Sequence, residues 1–321
     1  MPAPFFADVA EAPAPAQVVW AHALDGTRLR IALWSAGPAG MVAVFPGRTE
    51  VIEKYGRVVA DLARVGYGAA VIDWRGQGLS DRLEGQPLLG DVADFALFQH
   101  DVAVFDATLD AFAPAAPRFV LAHSMGGCIA LRALTSGFPA RAASFSAPMW
   151  GLRMGRPMRR AVKAVTAGLR LAGWDLREIP GAGIEFRLWE NPFDLNELSG
   201  DADTYAWMQH QVLTHPELRL GAPSLRWLVA ALAETSALAA LPAPNLPAIC
   251  GLGTREMLVS PEAIRARMAD WPGGQLRLLD GALHELLMER PALREQFLRE
   301  TLALFDAHQP SAGGKVRPVR P

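Results

Sequence analysis

The 321-residue chain has two cysteines, Cys128 and Cys250, far apart and without partners at metal-ligand spacing. That excludes a disulfide-stapled scaffold or a cysteine-built metal centre, and both thiols read as small buried apolar groups. Net charge is scarce as well. Thirty-one Lys and Arg against 33 Asp and Glu leave −2, so no whole-chain field draws the protein to nucleic acid. The longest stretch free of acidic and basic residues, Thr235 to Thr254, holds Pro242, Pro244, Pro247 and Asn245, which excludes a spanning helix there. No Lys or Arg precedes Arg28, whereas a secretory leader starts positive, so the expected location is cytoplasmic. Glycine (29) and proline (25) are too few and too aperiodic for a fibrous or disordered chain, and no internal repeat is visible.

What is present is alternation of strand and helix patterns. From Gln17 to Phe45 the runs VVWAHAL, LRIALWSA and MVAVF are separated by the turns Asp25-Gly26 and GPAG, as expected of antiparallel strands leading into a buried one. From Lys54 the period becomes helical, through Tyr55, Val58, Val59, Leu62 and Val65, and GAAVIDW then reads as a buried strand. Strand, helix, strand is the crossover of a parallel sheet. A helix through Phe95 to Phe112, the strand FVLA, a helix after Met125 and the strand ASFSA continue the series. After Pro148 the pattern turns helical without clear strands until PAICGLG. A helix (Pro261 to Trp271), the strand LRLL and a helix (Pro291 to Ala307) then close the chain. The expected architecture is α/β, a mostly parallel central sheet flanked by helices. Residues 1–148 and 242–309 form its core, 149–241 an inserted helical cap, and 310–321 a disordered basic tail.

LAHSMGGC places Ser124 between a buried strand and a helix, on a turn sharp enough to hold its hydroxyl above the sheet beside helix-terminal amides. Ala122, Gly126 and Gly127 supply the small flanks such a turn needs, with Ala122 standing for the first glycine of the usual G-x-S-x-G form. A serine nucleophile needs a base, and the base an orienting acid. Of seven histidines, His284 follows the last strand, where its ring can reach the carboxyl edge of the sheet. His123 sits too close to Ser124 to face it. His22, His100, His210, His215 and His308 fall on strand, helix, cap or tail. For the acid, Glu256 gives the chain order serine, acid, histidine, and Asp280, four positions before His284, is the competitor at a strand end. Oxyanion donors are assigned to the backbone amides of Arg48, in the turn PGRTE, and Met125. No cofactor is called for, and no metal.

Taken together, PGRTE (Pro46 to Glu50), DWRGQGLSDR (Asp73 to Arg82), LAHSMGG (Leu121 to Gly127), SAPMWG (Ser146 to Gly151), VLTH (Val212 to His215) and GALHELLME (Gly281 to Glu289) resemble the bacterial lysophospholipases. These group with the monoacylglycerol lipases among the serine α/β-hydrolases. The resemblance spans roughly Gln17 to Asp306. It implies an α/β-hydrolase fold, a Ser124, Glu256, His284 triad, an oxyanion hole at Arg48 and Met125, and hydrolysis of a single-chain glycerolipid ester. Many relatives have His where this chain has Pro46, and Asp where it has Glu256.

The inserted block carries Trp150, Trp174, Trp189, Trp207 and Trp227, five of nine tryptophans, a composition suited to a flexible acyl chain as well as to packing the cap on the core. Arg153, Arg156, Arg159, Arg160, Lys163 and Arg170 stand between Met149 and Arg170 with no acidic residue among them. Such a run reads as a solvated helix face or as a peripheral contact with an anionic membrane surface, on the inner face of the membrane. A general carboxylesterase or acyltransferase, and a catalytically silent scaffold of the same fold, are the competing readings.

Overall fold

The computed structural model describes residues 2–310 except 172, 180–182 and 184–186; the tail expected to be disordered lies, from 311, outside the described residues. A single helical turn, α1 (Ala7–Ala10), precedes the alternating runs, which form β1 (Gln17–His22), β2 (Arg28–Trp34) and β3 (Gly40–Phe45). The crossover α2 (Gly56–Arg64) leads to β4 (Tyr67–Asp73), and α3 (Leu97–Phe112) to β5 (Arg118–His123). Then come α4 (Ser124–Thr135) and β6 (Ala143–Ser146). Between β6 and β7 lie three helices, α5 (Arg156–Leu171), α6 (Ala202–Thr214) and α7 (Leu225–Ala239). The chain closes with β7 (Ala248–Gly253), α8 (Pro261–Ala269), β8 (Gly274–Leu279) and α9 (Pro291–Ala307).

The eight strands form one sheet in the order β1-β2-β4-β3-β5-β6-β7-β8. β2 is antiparallel to both neighbours, β1 and β4, and all other pairs are parallel. Every residue of β3, β4, β5, β6 and β7 is buried, as a parallel sheet covered on both faces requires. One face packs against Phe98, Phe105, Ile129 and Ile264 of α3, α4 and α8; the other packs against Val58, Leu62, Phe297 and Phe305 of α2 and α9. Cys128 on α4 and Cys250 on β7 are buried and unpaired, and burial pushes both thiols well above the ordinary range.

Most boundaries differ from the sequence pattern by one or two residues, and two of the differences bear on the site. The helix expected from Lys54 begins as a tight 3-10 turn, Ile52–Tyr55, because Lys54 and Tyr55 turn inward to a buried carboxylate, Glu50. The helix expected after Met125 begins one residue earlier, at Ser124.

Among the described residues, 149–241 hold no strand. Their helices complete the core. Trp227, Leu228 and Leu232 of α7 join the cluster under α3 and α4, while Tyr205, Trp207 and Met208 of α6 join the opposite one. On α5 the balance is different: Thr166 is buried, whereas Met158, Val165 and Leu171 are exposed.

Candidate active site

Ser124 follows β5 directly and has a φ of 48°, a left-handed conformation that costs a non-glycine residue about 1–2 kcal/mol. Its neighbours hold it there. The Ser124 carbonyl accepts the Met149 amide at 2.8 Å, and the turn is too tight for side chains: a Cβ on Gly126 would sit 1.9 Å from the Phe45 carbonyl oxygen, and one on Gly127 2.5 Å from the Pro148 Cβ. Close approach of α4 to β3 and to the end of β6 thus explains the two glycines after Met125.

His284 reaches this turn from the loop after β8. That loop crosses the end of β7 at Gly253, where a Cβ would lie 2.4 Å from the Ala282 and Leu283 carbonyls. His284 Nε2 is 2.9 Å from Ser124 Oγ, and Nδ1 is 2.7 Å from Glu256 Oε2. A carboxylate only accepts, so Nδ1 carries the proton, and Nε2 is left to receive one from the serine hydroxyl. Glu256 is fixed by its other oxygen, which accepts the amides of Leu258 at 2.7 Å and Val259 at 3.0 Å. Burial alone would raise this carboxyl. The charge and hydrogen bond of His284, with those two amides, outweigh burial and hold it below the ordinary value. Asp280, the competing acid, accepts the Thr254 hydroxyl at 3.1 Å at an exposed turn.

The loop expected to supply an oxyanion donor leaves β3 at Phe45 and is anchored on several sides. Pro46 O accepts Trp74 Nε1 at 2.9 Å, Gly47 O accepts Gln77 Nε2 at 2.8 Å, and Gly47 N donates to the Glu50 carboxylate. Arg48 lies within this loop, and Met125 in the first turn of α4, where amides have no intrahelical acceptor. Both residues border one small cavity, together with Gln77, Leu220 and Trp227. The Arg48 guanidinium donates to Gly221 O, bracing the loop against the segment before α7, and lies 5.5 Å from the Trp227 ring centroid. Burial pushes this guanidinium down to about 9.

The remaining histidines are elsewhere. His100 is 3.5 Å from Asp25, His215 is 2.9 Å from Asp8, and His308 bonds its own helix. His123 is different: it is buried beside His284, with ring centroids 4.8 Å apart, and meets the carboxylates of Glu50 and Glu285. The sequence reading passed over this cluster. Its signal was charge inside apolar runs, Lys54 within VIEKY and Glu285 within LHELL.

This arrangement, a serine on a strained turn hydrogen-bonded to a buried histidine and acid, can run acyl transfer. Residues 36–291 match the model of the family described as Serine aminopeptidase, S33. The chain belongs to this hydrolase family. Among curated members, it is 30% identical to Lysophospholipase L2 of Escherichia coli strain K12 over 293 residues, 87% of this chain and 84% of the relative. Among solved structures, a soluble variant of monoglyceride lipase from Saccharomyces cerevisiae superposes with a TM-score of 0.73 at 18% identity, over 97% of this chain and all of the other. A carboxyl esterase from Bacillus coagulans gives 0.71 at 16%, over 91% and 98%. At those identities the likeness shows the fold, an α/β-hydrolase. The family fits the expectation set by the motifs.

Proposed function

We propose that the chain is a carboxylic ester hydrolase that cleaves the acyl group from a single-chain glycerolipid, a lysophospholipid or a monoacylglycerol. The observation that carries this is the continuous line Ser124 Oγ, His284 Nε2 and Nδ1, Glu256 Oε2, at 2.9 and 2.7 Å. Ser124 attacks the ester carbonyl as His284 takes its proton, and Glu256 stabilises the imidazolium that forms. The amides of Arg48 and Met125 receive the developing oxyanion, each worth about 3 kcal/mol in the transition state. His284 then protonates the departing alcohol. A water, deprotonated by the same ring, releases the fatty acid from the acyl-serine. The scheme calls for neither a metal nor an organic cofactor.

The lipid class rests on the Escherichia coli relative and on residues 149–241, which we read as a cap over a core of 1–148 and 242–309. α5 supports a peripheral contact with an anionic lipid surface. At 100° per residue the spacing puts Met158, Ala161 and Val165 on one side of the helix and Arg160 on another. Val162 packs against the core from a third. No helix among the described residues is long and apolar enough to cross a membrane.

The test is fatty-acid release from a lysophospholipid, a monoacylglycerol and a short-chain ester, comparing wild type with Ser124→Ala. Release from the long-chain lipids that vanishes in the variant is the expected result. Turnover of the short ester alone would replace the lipid reading with a general esterase, and silence on all three, without fluorophosphonate labelling of Ser124, would leave a scaffold.

A further inference from the structure

Five ionisable side chains lie buried against the triad: Glu50, Lys54, Tyr55, His123 and Glu285. They come from the oxyanion loop and the turn after it, from the residue before the nucleophile, and from the residue after the base. Lys54 Nζ bridges the two carboxylates, 2.5 Å from Glu50 Oε1 and 2.6 Å from Glu285 Oε1. The Tyr55 hydroxyl donates to Glu50 Oε2 at 2.6 Å, and the Gly47 amide donates to the same oxygen. Two carboxylates and one ammonium leave one negative charge unbalanced among buried groups, which folding does not tolerate without a counter-charge.

His123 supplies it. Its Nδ1 lies 3.0 Å from the Ser146 carbonyl oxygen, with the Ser146 hydroxyl at 3.1 Å, and since a carbonyl only accepts, Nδ1 bears a hydrogen. Its Nε2 faces Glu285 Oε2 at 3.3 Å and Glu50 Oε1 at 3.8 Å. Carboxylates also only accept, so Nε2 bears a hydrogen too. A ring with both hydrogens is an imidazolium, and with it the cluster becomes neutral. The energetics agree with the geometry. Burial by itself would favour the uncharged ring, but Glu285 and then Glu50 overcome it, against opposition from Lys54, and raise His123 above the ordinary imidazole value. Burial would likewise raise Glu285, yet Lys54 and then His123, with His284 adding to them, hold it well below the carboxylate range.

We propose that His123 is a protonated positioning residue whose imidazolium clamps the oxyanion loop, through Glu50, to the loop that carries the base, through Glu285. The role rests on the hydrolase reading above, because that reading gives those two loops their tasks. Glu50 also ties down Gly47, the residue before the Arg48 amide, and Glu285 follows His284 in the chain, so one charged ring registers donor, nucleophile and base. Such constellations lose rate steeply when their parts shift by fractions of an ångström. The sign of the pH dependence follows. The clamp is intact in acid and opens as pH rises through the raised His123 value, with Glu50, Glu285, Lys54 and His284 as the charged or titratable groups facing it.

The experiment uses the full chain with 15N-labelled histidine. Two-bond nitrogen correlations are followed from about pH 6 to 9, a range in which a free imidazole goes from largely protonated to neutral. The expected spectrum shows both His123 nitrogens protonated at neutral pH, and Glu285→Gln converts the ring to a single neutral tautomer. In that variant kcat on a short soluble ester falls about ten- to a hundredfold while KM stays within about twofold, and fluorophosphonate labelling of Ser124 slows in step. Lys54→Arg, which keeps the bridging charge, retains most of kcat, whereas Lys54→Met does not. A neutral His123 at pH 7 in the wild type overturns the proposal, as does wild-type labelling and kcat in Glu285→Gln. Should Glu285→Gln fail to fold, the wild-type titration decides: kcat must fall at constant KM as the His123 imidazolium disappears, and a kcat that holds through that step overturns the clamp. A wild type inert to fluorophosphonate would instead bring down the hydrolase reading, and the positioning role with it.

Discussion

At the nucleophile turn a methyl group on Gly126 would lie 1.9 Å from a carbonyl oxygen, whereas along α5 the side chains of Met158 and Val165 are 58% and 57% exposed. In the first region, atoms of three different segments compete for the same space, so residue identity is dictated by contact. In the second, position along the helix matters more than identity: Met158 and Val165 face solvent, while Val162 packs against the core. The proposed chemistry thus sits where neighbouring atoms leave no room for substitution.

Breaking the first region should give the largest effects. Ser124→Ala removes the attacking oxygen, and kcat for ester hydrolysis should fall by about five to six orders of magnitude, with fluorophosphonate labelling abolished. Glu256→Gln keeps the shape but removes the charge that sets the His284 tautomer; a loss of about three to four orders in kcat is expected at nearly unchanged KM. The same carboxyl gives a stability signature. Because it is held below its ordinary value, its contribution is present above the usual carboxylate range and is lost as pH falls through the lowered value. Acid unfolding followed by circular dichroism should therefore shift to higher pH in the variant. Gly126→Ala forces backbone apart from backbone and should cost about 3 kcal/mol or more, read as a lowered midpoint in urea. The second region should respond least. Arg160→Gln or Met158→Ser on α5 should change stability by no more than about 0.5 kcal/mol and leave short-ester turnover alone, while weakening co-sedimentation with anionic vesicles. A large fall in short-ester kcat from either would erase the contrast between the regions.

The uneven legibility of the sequence has the same origin. Ser124, Glu256 and His284, which we assign as nucleophile, acid and base, could be singled out because each follows a strand end, and strand ends are marked by the shift from period 2 to period 3.6 and by glycines. The final helix was legible to the residue, Pro291–Ala307, since proline marks its start. The Glu50, Lys54, His123 and Glu285 cluster was not legible. Ion pairs between residues as far apart as 54 and 285 leave no local period, and a charged residue in an apolar run looks the same whether it snorkels to water or turns inward. The 3-10 turn at Ile52–Tyr55 was hidden for the same reason, because the inward pull of Glu50 on Lys54 and Tyr55 is tertiary.

The two cysteines bear on experiment rather than on catalysis. Cys128 and Cys250 are buried inside the fold, with thiols that burial keeps protonated, so the native chain should be silent to maleimide reagents unless it unfolds. A single cysteine introduced at Met158 would then be the one reactive thiol on the folded protein. A solvent-sensitive dye placed there would report whether this face of α5 leaves water when vesicles are added, with both native cysteines left in place.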